Sequence, residues 1–297
     1  MPNKPSHTKV ILLAVFITFL WSTSWVLIKF GLRNDLPPLS FAGLRYFAAF
    51  LCLAVIVLVN PKERAALKHI ARADWAWLAG YGLIIYTITQ GGQFVSLSFL
   101  PANMVSLVLN MTAVAVGISG VFFLKEIPTR LQWLGVAVTM IGTGVYFLPV
   151  SLAGGDWIGL LAAFVTLLGS TASALLGRRI NFQSHLSPLT VTFISMGVGS
   201  TALLGAGALT QGLGHPNLND WMIILWLAVV NTAFAFTVWN LTLRTLSAVE
   251  SSIINSLMMP QIALLAYLFL GETISPREII GLILVGVGAL VVQLRKP

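Results

Sequence analysis

Ala102–Glu126, ANMVSLVLNMTAVAVGISGVFFLKE, and Ala248–Glu272, AVESSIINSLMMPQIALLAYLFLGE, read as one segment written twice, 146 positions apart. Ala102 falls on Ala248, Ser106 on Ser252, Phe123-Leu124 on Phe269-Leu270 and Glu126 on Glu272. Further out, the same offset puts Asp74-Trp75 on Asp220-Trp221, Gly135 on Gly281 and Gly142 on Gly288. The front ends match at an offset of 148, where Phe16, Thr18, Leu20, Ser22 and Thr23 lie over Phe164, Thr166, Leu168, Ser170 and Thr171. The chain is therefore a duplicated unit, and the unit is almost entirely apolar.

With 57% hydrophobic and 9% charged residues and a mean hydropathy of +0.91, the chain is far from the roughly 25% charge of a soluble domain. It reads as an all-α integral membrane protein. A bilayer core of about 30 Å takes roughly 20 apolar residues per helix. Ten such spans can be marked: Val10–Phe30, Leu39–Val59, Trp75–Ser98, Ala102–Leu124, Leu131–Leu148, Trp157–Leu176, Pro188–Gln211, Trp221–Leu243, Ala248–Leu270 and Arg277–Leu294. Five belong to residues 1–150 and five to 151–297. The connections are too short for a separate soluble domain; the longest, Asn60 to Asp74, is a charged surface helix or loop. The first span is longer than a signal-peptide core and lacks a small-residue cleavage pattern, so a retained helix is expected.

A cytoplasmic amino terminus puts thirteen lysines and arginines on inner segments, from Lys4 and Lys9 to Arg295 and Lys296, against Lys29, Arg33 and Arg277 outside. That is a clear positive-inside bias. Because five is odd, the second repeat enters the membrane inverted, and both termini are expected in the cytoplasm. The net charge of +8 is then explained by inner loops and calls for no nucleic acid. Inverted repeats suit a transporter, because two similar halves can exchange conformations and so open a central site to either side in turn.

Polar residues in apolar spans are costly unless they face a cavity or a partner, and here they form matched stripes. Span 1 has Thr18, Ser22, Trp25 and Lys29, and span 6 has Thr166, Ser170, Ser173 and Gly177. Span 3 offers Tyr86, Gln90 and Gln93 over Thr232, Phe236 and Trp239 of span 8. Span 4 offers Ser106 and Asn110, and span 9 Ser252, Asn255, Ser256 and Met259. The bland alternatives are bonds to the i−4 carbonyl or between helices for the hydroxyls and amides, and packing for Met259. Trp75, Trp77, Trp133, Trp157, Trp221 and Trp226 stand near span starts as interfacial anchors, whereas Trp21, Trp25 and Trp239 lie deeper and suit a cavity wall. Pro260 interrupts span 9, and Gly142, Gly144, Gly286, Gly288, Ser195 with Gly199 and Thr201 with Gly205 offer close helix contacts.

No phosphate-binding G-x-x-x-x-G-K-[ST] occurs. The four histidines fall in loops or tails without metal-ligand spacing, and Cys52 stands alone. Neither a cofactor, a metal nor an enzyme active site is indicated. Every acidic residue lies in a loop or near a span end, and Lys29 and Arg45 lie close enough to an end to snorkel, so no midplane acid is expected to carry protons.

The paired Phe123-Leu124-Lys125-Glu126 and Phe269-Leu270-Gly271-Glu272, each followed by a glycine-rich last helix from Leu131 or Arg277, resemble the signature of the drug/metabolite transporter superfamily, EamA type. Within it the chain looks most like the bacterial YddG-type exporters of aromatic amino acids. The resemblance implies a carrier in the bacterial inner membrane that moves amino acids and related metabolites outward. One departure is that the position matching Pro260 is Val114, where the family often has a second proline; this sets symmetric kinking of spans 4 and 9 in doubt. The expected function is thus an exporter working by alternating access, with a small-molecule substrate and the lipid bilayer as partners. Asn110, Gln90, Gln93 and Asn255 would bond its polar end, and Trp21, Trp25, Tyr86 and Trp239 would wall its apolar part. A broad drug or toxic-cation exporter is the alternative within transport. A lipid enzyme lacks clustered loop carboxylates or histidines, and a scaffold would not need matched stripes. The oligomeric state stays open, a monomer included.

The topology is testable by impermeant thiol labelling of intact cells in a Cys52→Ser background. His215→Cys should react and Ala66→Cys should not; labelling at position 66 from outside would rule out the inverted arrangement.

Overall fold

A computed structural model describes residues 7–32, 36–100, 102–147, 157–183, 186–270 and 274–293. Arg33, the acidic residues Asp35, Asp156 and Glu272, the histidine at 185, Gly271 and both chain ends, for which positions were expected above, lie outside the described residues. Within them the chain is helical throughout and contains no strand. α1 (His7–Leu32), α2 (Pro38–Val59) and the short α3 (Pro61–Lys68) come first. α4 (Arg72–Gly82), a π segment (Leu83–Gln90) and α5 (Gly91–Phe99) follow without a break, then α6 (Ala102–Asn110), α7 (Thr112–Phe123) and α8 (Arg130–Phe147). The second half gives α9 (Trp157–Gln183), α10 (Pro188–Thr210), α11 (Leu218–Ala228), a second π segment (Val229–Phe234) and α12 (Ala235–Thr242). It closes with α13 (Ala248–Ser256), α14 (Met258–Leu270) and α15 (Pro276–Gln293). The 146-residue offset of the sequence reappears in the starts of α4 and α11, α6 and α13, α8 and α15, and of the two π segments.

Helices begin where local chemistry directs. Proline, which has no N–H to satisfy, opens α2, α3, α10 and α15. Capping boxes of Asn217 with Asp220 and Ser247 with Glu250 start α11 and α13. Thr129 with Gln132 and Ser275 with Glu278 make the same reciprocal bonds before α8 and α15. The charged stretch after α2 is a helix, tied down where Glu63 accepts from Ser187 and Thr190 at 2.5 Å each.

Among the described residues six helices are long and apolar enough to cross a membrane: His7–Leu32, Pro38–Val59, Trp157–Phe182, Pro188–Thr210, Leu218–Thr242 and Ala248–Phe269. The other expected spans are helical as well, but shorter or interrupted. The doubt over symmetric kinking is resolved against the proline argument. Both helices break, at Met111 and at Leu257, each three residues before Val114 or Pro260. Met111 N–H bonds Val108 at 3.1 Å and Leu257 N–H bonds Ile254 at 3.0 Å, so each chain tightens to an i−3 turn before the helix resumes.

α2 lies along α10, α8 along α15, α9 against α4 and α5, and α1 against α14 and α12. In an apolar solvent the drive for such contacts is close packing. A methyl carbon added at Gly142 would lie 2.7 Å from the Gly281 carbonyl oxygen, and one at Gly135 would lie 2.7 Å from that of Gly288. Gly144, Gly286 and Gly205, read from sequence as contact glycines, face open space instead. The Ser195–Gly199 spacing is used, because Gly82 packs on Ser195 and Gly199 packs on Gly82 and Tyr86. The tryptophans separate by exposure. The six at span starts are between 37% (Trp133) and 67% (Trp157) exposed, whereas Trp25 is 8% exposed.

Gly142→Val should destabilise the detergent-solubilised protein by about 1–3 kcal/mol through overpacking. Gly144→Ala should be neutral or stabilise by up to about 1 kcal/mol through helix propensity. Thermal unfolding of the two variants side by side checks both.

Candidate functional site

A cavity of about 210 Å³ lies at the centre of the bundle, walled by residues from both halves. Twelve of the fifteen residues expected at a site line it. Trp21, Trp25 and Trp239 stand on its wall, as do Gln90, Gln93 and Asn255. Ser106, Asn110 and Ser170 line it from α6 and α9, and Ser252, Ser256 and Met259 from α13 and α14.

The aromatic wall is continuous. Trp21 lies 4.9 Å from Phe236 and 5.0 Å from Trp239 between ring centroids, and Phe236 lies 6.0 Å from Tyr46. Its position is fixed by the second π segment, where the Asn231 carbonyl accepts the Trp21 indole N–H at 3.1 Å. The Asn231 amide in turn donates to the Leu20 carbonyl and to Thr23 Oγ1. π turns often mark functional sites because their wide pitch frees backbone groups. Gln90, Gln93 and Asn255 also line the cavity, and no hydrogen bond joins their side chains to the described residues. Asn110 is partly committed, donating to the Ser106 carbonyl at 2.9 Å and towards Met259 Sδ at 3.6 Å. The hydroxyls of Thr112, Ser173 and Ser252 on the wall have no partner among the described residues.

Three expected residues do not line the cavity. Ser22 bonds the Thr18 carbonyl at 2.8 Å and Gln261 Oε1 at 2.9 Å, and Gln261 also donates to Thr18. That stripe joins α1 to α14, and the cavity face of α1 is the adjacent one with Trp21, Ser24, Trp25 and Ile28. Tyr86 is fully buried between Tyr46 and Phe236. Thr232 is fully buried and accepts from Arg45 Nε at 2.9 Å.

Arg45 corrects a further reading. It does not snorkel: it is 2% exposed, its guanidinium lies 5.0 Å from the Tyr46 ring centroid, and it lines the cavity. Sequence reasoning missed Arg45, Tyr46 and Tyr81. An arginine inside an apolar span next to an aromatic residue was the available signal, since intramembrane charges usually face the bundle interior.

Outside the cavity lining, a set of polar contacts joins the two halves. Lys125 takes the left-handed conformation (φ 56°), and Leu124 N–H and Glu126 N–H both bond the Gly120 carbonyl, ending α7. This turn sets Glu126 under the start of α13, where Oε2 accepts Ala248 N–H at 3.0 Å and a carboxylate suits the helix dipole. Its Oε1 accepts Arg178 Nε at 2.9 Å, and Arg178 Nη1 donates to the Leu243 carbonyl at 2.8 Å. Beside this lies a buried chain in which Asn181 donates to Asn240 at 2.7 Å and Asn240 to Thr192 at 2.9 Å. Among the described residues no three histidines, cysteines or carboxylates gather as a metal site. Among the described residues no carboxylate lines the cavity.

A family model for the EamA-like transporter family matches residues 8–148 and again 157–294. The chain belongs to the EamA-like transporter family. It is therefore a membrane transporter and not an enzyme. Among its relatives, a protein of Salmonella typhimurium named "Probable amino-acid metabolite efflux pump" is 28% identical over 93% of this chain and 92% of its own length. A protein of the same name from Escherichia coli is 26% identical over 93% of this chain and 92% of its own. A solved crystal structure shares the fold with a TM-score of 0.79 at 17% identity, covering 98% of both chains. The two matches of the EamA model fall on the two halves whose helices recur at the 146-residue offset.

In this EamA transporter the Glu126–Arg178 pair should couple the halves measurably. A double-mutant cycle with Glu126→Gln and Arg178→Ala, read by thermal unfolding, should give a coupling of about 1 kcal/mol, as expected for a partly exposed ion pair. Additive single effects would show that the contact does not join the halves.

Proposed function

We propose that this transporter exports amino acids, chiefly aromatic or hydrophobic ones, and related metabolites across the bacterial cytoplasmic membrane by alternating access. On this reading residues 1–150 and 151–297 are two five-span repeats of opposite orientation, ten spans in all, with both termini cytoplasmic. The observation that carries it is the cavity walled by both halves, whose lining joins the aromatic set from Trp21 to Trp239 with the amides of Gln90, Gln93 and Asn255.

Inversion is supported by the glycine contacts. Gly135 meets Gly288 while Gly142 meets Gly281, and each of these glycines is the repeat counterpart of the other pair's member. That reciprocity is how two copies related by a two-fold axis touch. The substrate class is supported by the relatives named as amino-acid metabolite efflux pumps and by the aromatic wall. With no carboxylate on the cavity wall among the described residues, transport follows the substrate gradient or uses an end-located acid such as Glu126 or Glu250; Glu272, the third such acid, lies outside those residues. The same lack of a cavity carboxylate, together with Arg45 on the wall, weighs against a toxic-cation exporter.

Counterflow of radiolabelled phenylalanine into liposomes holding the purified protein should exceed that into empty vesicles, without an imposed pH gradient. Trp239→Ala and Gln93→Ala should each lower it several-fold, in keeping with about 1–2 kcal/mol per contact. Trp133→Ala, outside the cavity, should leave it unchanged. If phenylalanine enters no faster than into empty vesicles, the amino-acid reading fails.

A further inference from the structure

Arg45 stands about two turns inside α2, 2% exposed, in a bundle whose surroundings are apolar. A charge in such a place is costly and is kept only where something answers it. The protein answers only part of it. Thr232 Oγ1, from the other half of the chain, takes the Nε hydrogen at 2.9 Å, and the Tyr46 ring lies 5.0 Å from Cζ. Among the described residues no carboxylate stands within ion-pair distance, and Nη1 and Nη2 have no acceptor. Among those residues Arg45 is also the one charged side chain on the cavity wall.

The geometry says what would complete it. With Nε held by Thr232, the end of the guanidinium that remains is the Nη1/Nη2 fork, which matches the two oxygens of a carboxylate in a bidentate bond. From that fork the aromatic wall runs on without a gap, Tyr46 to Phe236 at 6.0 Å, Phe236 to Trp21 at 4.9 Å and Trp21 to Trp239 at 5.0 Å. A carboxylate at Arg45 therefore brings an attached apolar or aromatic body onto those rings. An α-ammonium group, by contrast, finds no anionic partner among the described residues of the wall, only neutral amide and hydroxyl oxygens and ring faces.

We infer that Arg45 is the carboxylate-binding residue of this cavity and that the transporter selects monocarboxylates with an aromatic body, whether or not they carry an α-amino group. The inference rests on the exporter reading above and extends its substrate class to acids that are not amino acids. Thr232 acts as a positioning residue that turns the fork towards the cavity.

The test uses the full chain in liposomes. Counterflow of labelled phenylalanine is competed with 3-phenylpropionate, phenylalanine methyl ester and phenethylamine, and labelled 3-phenylpropionate is assayed directly. The acid should compete within a few-fold of unlabelled phenylalanine, and the ester and amine at least tenfold more weakly. Arg45→Gln should lose tenfold or more of the protection that 3-phenylpropionate gives against thermal unfolding, and Arg45→Lys should retain part of it. Should Arg45→Gln not fold, the competition series on the unaltered protein decides alone. Equal competition by the ester and the amine would overturn the role of Arg45 while leaving the exporter standing. Competition by phenylalanine but not by 3-phenylpropionate would overturn the claim that the amino group is dispensable. If neither labelled compound enters above empty vesicles, the exporter reading itself falls, and the inference with it.

Discussion

A backbone N–H or C=O in an apolar surround has no water to turn to, and each one left alone costs several kcal/mol. That constraint makes the described chain helical from end to end and puts prolines and capping boxes at the helix starts. It also makes the interruptions informative. The two π segments and the tightened turns at Met111 and Leu257 lie in the elements that wall the cavity: Thr89 and Gln90 come from the first π segment, Asn110 and Thr112 flank Met111, and Ser256 and Met258 flank Leu257. Irregular backbone is confined to where other groups take it up, as when Thr89 Oγ1 bonds the Ile84 carbonyl at 2.8 Å and the Trp21 indole bonds Asn231.

The same solvent gives helices little reason to associate beyond contact itself. Where α8 and α15 touch, glycine removes the side chain altogether. Elsewhere polar residues are spent on holding helices together. Ser22, Thr18 and Gln261 fasten α1 to α14, and Asn181, Asn240 and Thr192 fasten α9, α12 and α10. What is left for a substrate is the remainder: three uncommitted amides, a few hydroxyls, an aromatic wall and one guanidinium. The cavity is thus defined as much by the polar groups withheld from it as by those it has.

The duplication, the helical class, the exposure of the tryptophans at span starts and most of the cavity lining were legible in the sequence, because each follows from composition or from a period along one chain. The misses share a cause. Ser22, Tyr86 and Thr232 sit on faces with the right spacing, but spacing does not say whether a polar face meets a cavity or a neighbouring helix. Ser22 found Gln261, Thr232 found Arg45, and Tyr86 packed among rings. Arg45 was read as snorkelling because its distance to a span end allowed that; the partner on a helix some 190 positions later was invisible to local pattern. An interruption was expected of span 9 alone, from Pro260, and symmetric kinking was set in doubt by Val114, whereas the two turns share a backbone hydrogen-bond pattern rather than a residue.

The π segments carry a consequence for helix phase. A π turn holds more residues than an α turn, so the face presented before Leu83 or Val229 is not the face presented after Gln90 or Phe234. An uninterrupted α-helix through the same sequence would aim Gln93 and Trp239 in other directions relative to Leu78 and Leu227. The wide turn thus acts as an angular spacer: it lets one half of the rod pack on its neighbours in one rotational setting while the other half offers its amide or indole to the centre in another. Insertions or deletions there would be read out as rotation of every residue downstream rather than as a local bulge.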